Sequence, residues 1–180
     1  MDIKLFVNIT SRAWAIPILA NLHEGIIGRQ AALLTATGAS RTAFAQSMEH
    51  LTKLGLLERN PGHGHPLRPE FRLTQIGKNV ANLASRIHIT APKNDADLIR
   101  RSWTLPVLTA LHISSHFNAI KHNLDCITDR ALSHSLKSLE ERRWVHRNVD
   151  DLSRPPRSIY RPINAGKAIS GITGQEIRFS

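Results

Sequence analysis

Apolar positions recur at helical spacing along the second half of the chain. In "WTLPVLTALH", Trp103, Val107, Leu108 and Leu111 lie three and four residues apart, on one face of a predicted helix. Pro106 fits the first turn of that helix, where no intrahelical N–H is needed. "HFNAIKHNL" brings Phe117, Ile120 and Leu124 together on a short second helix. "CITDRALSHSLKSLEERRW" predicts a third. Thr128 is a good N-cap, Asp129 is favourable in the first turn, and Leu132, Leu136 and Leu139 form the buried stripe. The outward face carries Arg130, Ser133, His134 and Lys137. The pattern then changes. "WVHRNV" and "RSIYRPI" are short β-like runs around the polar, turn-rich "DDLSRPP", and together they predict a β-hairpin. "NAGKAISGI" begins a last, short helix.

The first half follows the same plan. "AWAIPILANLH" and "GRQAALLTAT" predict two helices, and "ASRTAFAQSMEHLTKLG" a third. Ser40 caps the third, Phe44, Met48 and Leu51 lie inside, and Gly55 suits its C-terminus. A hairpin runs from "LLERN" to "EFRLT" around "PGHGHPLRP", and a longer helix covers about Thr74 to Ile87. The likeness extends to the residues. Trp14 and Trp103 are 89 apart, as are Pro17 and Pro106, and His23 and His112. The offset slips to 88 at Leu51 with Leu139 and Arg59 with Arg147, and returns to 89 near the end of each copy. Such slips are what small loop insertions leave between duplicated units, so the chain reads as two copies of one domain, residues 1–90 and 91–180. The Pro, Asn and Asp of "HITAPKNDADL" suit an exposed connector between them.

The fold class is therefore mainly α with small β-hairpins (α+β), in two tandem domains. Three helices followed by a hairpin is the winged helix-turn-helix plan, in which the third helix enters the DNA major groove and the wing lies beside it. Charge supports this. The net charge is +10, arginines outnumber lysines 17 to 7, and each half contributes +5. A basic excess spread over two folded halves points to a polyanion, nucleic acid first. No apolar run approaches the roughly 18–20 residues of a membrane span. "MDIKLFVNIT" lacks both a basic leader and a long apolar stretch. The lone Cys126 excludes an internal disulfide and points to the reducing cytoplasm.

Copy two resembles the HxlR branch of the MarR-like winged helix-turn-helix transcription regulators. The residues that carry the likeness are "RRSWTLPVLTAL", "HFNAIKHNLDCITDRALSHSLKSLEERRWVHR" and "RPPRSIYRPINAGK". Copy one is similar but more drifted, keeping "WAIPILANL", "LTKLGLLERN" and "FRLTQIGK". Its turn, "TATGASRTAF", departs from the pattern and places Thr42 where copy two has Arg130. The resemblance implies DNA binding by symmetric dimers of single-domain chains, with terminal helices building the dimer interface. A double-domain chain then acts either as a homodimer or as a monomer forming an intramolecular pseudo-dimer. Copy two ends soon after Lys167, so the helix Thr74–Ile87 is the better candidate for packing between domains or chains.

Candidate DNA contacts follow. In copy two, Arg130, Ser133, His134 and Lys137 form the exposed third-helix face, competing with a plain solvated surface. In copy one, Arg41, Thr42 and Gln46 take those places. Arg154 and Arg157 at the second wing, and Arg68 at the first, suit phosphate or the minor groove. His63 and His65 form an H-x-H with no further ligand nearby, which suits a wing tip better than a metal site. Cys126 is expected to be buried and structural, and Trp14, Trp103 and Trp144 to be core. No phosphate-loop, nucleophile-elbow or zinc-hydrolase pattern is present, so an enzyme is not expected, and no cofactor or metal is implied. The expected function is sequence-specific regulation of transcription on double-stranded DNA, a repressor by resemblance. Its rival is a tandem winged-helix scaffold for protein contacts. Nothing in the sequence names a small-molecule effector.

Overall fold

The computed structural model describes residues 1–60, 70–150 and 156–179. They form two compact units, Arg12–Ile89 and a second made of Met1–Ser11 together with Thr90–Ser180.

In the first unit, α2 (Ala15–His23), α3 (Gln30–Thr37) and α4 (Arg41–Lys53) precede a hairpin of β1 (Leu57–Asn60) and β2 (Glu70–Leu73), and α5 (Gln75–Thr90) follows. Preceding all of these is α1 (Ile3–Thr10), which belongs to the second unit. The second unit continues with a single 3-10 turn at Lys93–Asp95, α6 (Ala96–Ile99), α7 (Thr104–Ala110), α8 (Phe117–Leu124) and α9 (Asp129–Glu141). Its hairpin is β3 (Val145–Asp150) with β4 (Arg157–Pro162), and α10 (Asn164–Glu176) closes it. Both hairpins are antiparallel, with Arg59 opposite Phe71 and Arg147 opposite Tyr160. The segment before each second helix adds a short third edge. Phe71 N–H donates to the Gly28 carbonyl at 2.7 Å, and Tyr160 N–H to that of Ser115 at 2.8 Å.

The third helix ends in the same way in both units. Leu54 and Arg142 are the C-caps. The next residue takes positive φ, Gly55 at 69° and Arg143 at 56°. Leu56 N–H then reaches back to the Leu51 carbonyl at 3.0 Å, and Trp144 N–H to that of Leu139 at 2.8 Å. This is a Schellman motif, which uses up orphan carbonyls and reverses the chain. Gly55 adopts the left-handed conformation without a Cβ clash, whereas Arg143 holds it at some steric cost. Leu56 and Trp144, 0% and 1% exposed, plug the corner between helix and hairpin. Their carbonyls accept from Thr74 N–H at 3.1 Å and Ile163 N–H at 2.8 Å. Each carbonyl also lies against a glycine of the next helix, Gly77 or Gly166, where a Cβ would overlap it.

Several expectations need correction. The opening segment is a helix that packs on α7, although the division at residue 90 groups it with copy one. Asp2 caps α1 by accepting from Lys4 N–H at 2.7 Å, and Ile3, Phe6 and Ile9 are buried. Ile3 N–H donates to the Arg178 carbonyl at 3.0 Å, and Arg178 N–H to that of Met1 at 2.8 Å. α10 is 13 residues long, so copy two also ends in a full helix; it packs along α7. α7 is buried throughout, because α1, α8, α9 and α10 all pack on it, and its buried Thr109 hydroxyl donates to the Leu105 carbonyl at 2.8 Å. Trp14 and Trp103 are only half-buried. Each stands at the N-cap, so the helix starts after the ring rather than carrying it on the buried stripe.

The expected exposed connector is partly ordered and anchored. Leu98 and Ile99 are buried. Asp95 accepts from Arg142 at 2.5 Å and from the Trp144 indole N–H at 3.1 Å. Asp97 accepts from Arg142 at 3.3 Å and from Arg101 at 3.4 Å, and Arg101 donates to Ser138 Oγ at 2.8 Å. The Asp95 hydrogen bond first, and the Asp97 charge second, raise the Arg142 pKa above its ordinary value. Copy one has Leu54 and Leu56 in place of Arg142 and Trp144, so this clasp belongs to copy two.

The two corner glycines separate close approach from helix propensity. Gly77→Ala and Gly166→Ala are each expected to destabilise by about 1–3 kcal/mol, because the corner must open to admit a methyl group. Gly171→Ala, in α10 with nothing within 4 Å of a built Cβ, is expected to be neutral or to stabilise by up to about 1 kcal/mol. Urea midpoints of the three variants check this. Equal effects at the three positions would contradict the packing account.

Candidate nucleic-acid interface

The third helices are started by side-chain caps. Ser40 Oγ accepts from Ala43 N–H at 3.4 Å, and Thr128 Oγ1 from Ala131 N–H at 3.2 Å. Both caps were legible in the sequence, and they fix where each exposed face begins. On α9 the outward residues Arg130, Ser133, His134 and Lys137 are all exposed, within an arc about 100° wide at 3.6 residues per turn. Asp129, in the first turn, pairs with Lys121 of α8 at 2.8 Å. On α4, Arg41, Thr42 and Gln46 are exposed, while Phe44, Met48 and Leu51 face inward.

The α9 face divides into two rows. Ser133 and Lys137 border a groove of about 910 Å³ between the helix and the hairpin, and Arg147 and Arg157 meet them there. Arg157 opens β4 opposite Asp150 and is exposed. Arg147, also exposed, donates from Nε to Ser158 Oγ at 3.0 Å. The groove floor includes Phe117, Leu136 and Tyr160, and His116 stands at its edge with Nδ1 unpartnered. Arg130 and His134 instead border a second depression beside Trp103 and Arg101. Arg68 and Arg154, with His63 and His65, lie outside the described residues. Arg147 was missed as a candidate. The signal was present in the repeat, where it matches Arg59 at an offset of 88.

This arrangement can hold an extended polyanion. Cations from helix and hairpin line one groove, and hydrogen-bonding side chains face outward along the adjoining helix face. Among the described residues no group of three or more His, Cys, Asp or Glu could hold a metal ion, and no single helix is long and apolar enough to cross a membrane.

A family model described as HxlR-like helix-turn-helix matches residues 9–93 and again residues 98–177. The chain belongs to the HxlR-like helix-turn-helix family. The two matches run back to back, so it is a tandem duplication of HxlR-type domains. The family places it among DNA-binding regulators of transcription. No curated protein and no solved structure matches the chain.

One expectation about this HxlR-type chain fails. Cys126 is exposed, not buried. Asp125 takes φ 48° between α8 and α9, and Cys126 N–H folds back on the Leu124 carbonyl at 2.5 Å. The turn directs Ile127, 2% exposed, inward and leaves the thiol outside. In native protein, DTNB is therefore expected to titrate one thiol per chain at the rate of an accessible cysteine, before any unfolding. A thiol that reacts only in denaturant would contradict this placement.

Proposed function

We propose that this protein is a sequence-specific transcription regulator, and by resemblance a repressor, in which one chain supplies two DNA-reading heads. The observation that carries the proposal is the repeated pairing of a capped, outward-facing third helix with a hairpin at its side, in a chain of net charge +10. In copy two, Arg130, Ser133 and His134 read base edges, while Lys137, Arg157 and, by its place in the sequence, Arg154 hold backbone. In copy one, Arg41, Thr42 and Gln46 take the reading role, with Gln46 suited to adenine, and Arg68 is a backbone contact by its place in the sequence. Regulation is by occupancy, with the bound protein blocking or recruiting polymerase. Because the two third helices offer different side chains, the bound site is not a perfect palindrome.

Selection of bound sequences from a random duplex pool tests this proposal directly. A recovered motif with two unlike halves supports it. A pool with no enrichment contradicts DNA reading, and two identical halves contradict the use of both copies of one chain.

Two substitutions separate base reading from backbone contact. Arg130→Ala is expected to cost about 1–3 kcal/mol on the selected duplex and to relax preference at one base pair. Arg157→Ala is expected to weaken all duplexes alike and to make the log–log salt dependence shallower by about one. Both side chains are exposed, so melting temperatures should be little changed. Titrations on selected and scrambled duplexes at several salt concentrations check both. Equal loss on both duplexes for Arg130→Ala would make it a backbone contact.

A further inference from the structure

Trp103 stands where the start of α7 meets the outward face of α9. It is the N-cap of α7 and half-buried, and it borders a depression of about 550 Å³ shared with Arg130 and His134, the α9 residues proposed to read bases. Ser102, Thr128 and Ser135 lie on the same border, and among the described residues no carboxylate lines it. The segment that carries the ring is fastened to α9. Arg101 donates to Ser138 Oγ at 2.8 Å and to Asp97 at 3.4 Å. That guanidinium is thereby occupied, and the ring two residues later is held at a fixed place beside the reading face. The indole N–H of Trp144 is taken by Asp95, whereas among the described residues nothing accepts from that of Trp103. Trp14 recurs 89 residues earlier, again as an N-cap and again half-buried, so the placement occurs once in each copy. Core packing accounts for the buried part of such a ring. It does not account for a large aromatic left partly open beside a face of cations and hydroxyls.

We propose that Trp103 is a DNA contact: its ring packs against the sugar–phosphate backbone flanking the bases that α9 reads, and its indole N–H donates to a phosphate oxygen. This inference rests on the DNA-binding proposal above and deepens it. Arg130 and His134 border the same depression, so a duplex within their reach covers the ring as well. Tryptophan suits that place, with an apolar face for the deoxyribose and a donor at its edge for the phosphate. The contact carries no charge, so it releases no counterions and adds affinity without adding salt dependence. Backbone carries no base identity, so the gain is the same on every sequence. Trp103 is thereby set apart from Arg157, whose loss lowers the salt slope, and from Arg130, whose loss relaxes preference at one base pair.

The test is titration of the selected and scrambled duplexes at several salt concentrations, with variants of the full chain. Trp103→Ala is expected to weaken both duplexes by the same factor, roughly five- to tenfold, the size given by about 50 Å² of ring at about 25 cal/mol per Å². Its log–log salt dependence is expected to match that of the wild type. Trp103→Phe keeps an apolar ring and removes the donor, and is expected to lose less than Trp103→Ala. Acrylamide quenching of the Trp14→Phe chain reads the contact directly, because Trp144 is 1% exposed and Trp103 is then the accessible indole. Saturating duplex is expected to shield it. This measurement decides the matter if Trp103→Ala disturbs the fold, which a melting curve reveals. Quenching as strong in the complex as in the free chain would overturn the inference while leaving DNA binding intact. So would wild-type affinity in a folded Trp103→Ala chain, a loss confined to the selected duplex, or a changed salt slope. Failure of the wild-type chain to bind any duplex would instead overturn the proposed function.

Discussion

The corner where the third helix turns into the hairpin is the constraint on which each unit depends. At that point Leu56 or Trp144 is buried, its N–H closes the helix and its carbonyl receives the strand end. A glycine of the following helix lies against the same carbonyl. Three elements are thereby fixed by one residue, and the angle between the helix and its hairpin is no longer free. A surface meant to meet DNA along both elements needs that angle held, because its cations and base-reading groups sit on different elements. The same corner occurs in both copies with different side chains plugging it. The backbone geometry has been retained while its filling has drifted.

Around that shared corner the copies have diverged in what surrounds them. Copy two is clasped from behind: Asp95 and Asp97 bind Arg142 and Arg101, and Asp95 also holds the Trp144 indole. Its α7 is covered by α1 from the beginning of the chain, so this unit is assembled from two separate stretches of sequence. Copy one has leucines at the clasp positions, and Ala45 and Phe71 beside its third helix where copy two has Ser133 and Tyr160. Duplication within one chain permits this divergence. A homodimer must carry every substitution twice, whereas two linked copies specialise separately.

What was legible in the sequence was local. Leucine stripes at spacings of three and four, Ser40 and Thr128 as caps, and turn-rich links between β-like runs placed the third helices and hairpins almost to the residue. The repeat contained the Arg59–Arg147 match. What was not legible depended on distant partners. The stripe Ile3, Phe6 and Ile9 is visible in the opening residues, but its cover is α7, a hundred residues later. The connector has a loop's composition, yet Asp95 is held by residues nearly fifty positions away. Cys126 has the composition of a core residue, and only the backbone turn at Asp125 sends it outward. The tryptophans before α2 and α7 have core-sized rings, but the start of each helix displaces them to its end.

The central claim is that one chain carries two working DNA-reading heads. Hydroxyl-radical footprinting on a selected duplex, with the protein-to-duplex ratio of the same complex measured by sedimentation, tests it most directly. The account predicts one chain per duplex and two protected windows. A single window at one chain per duplex, or two identical windows at two chains per duplex, would contradict it.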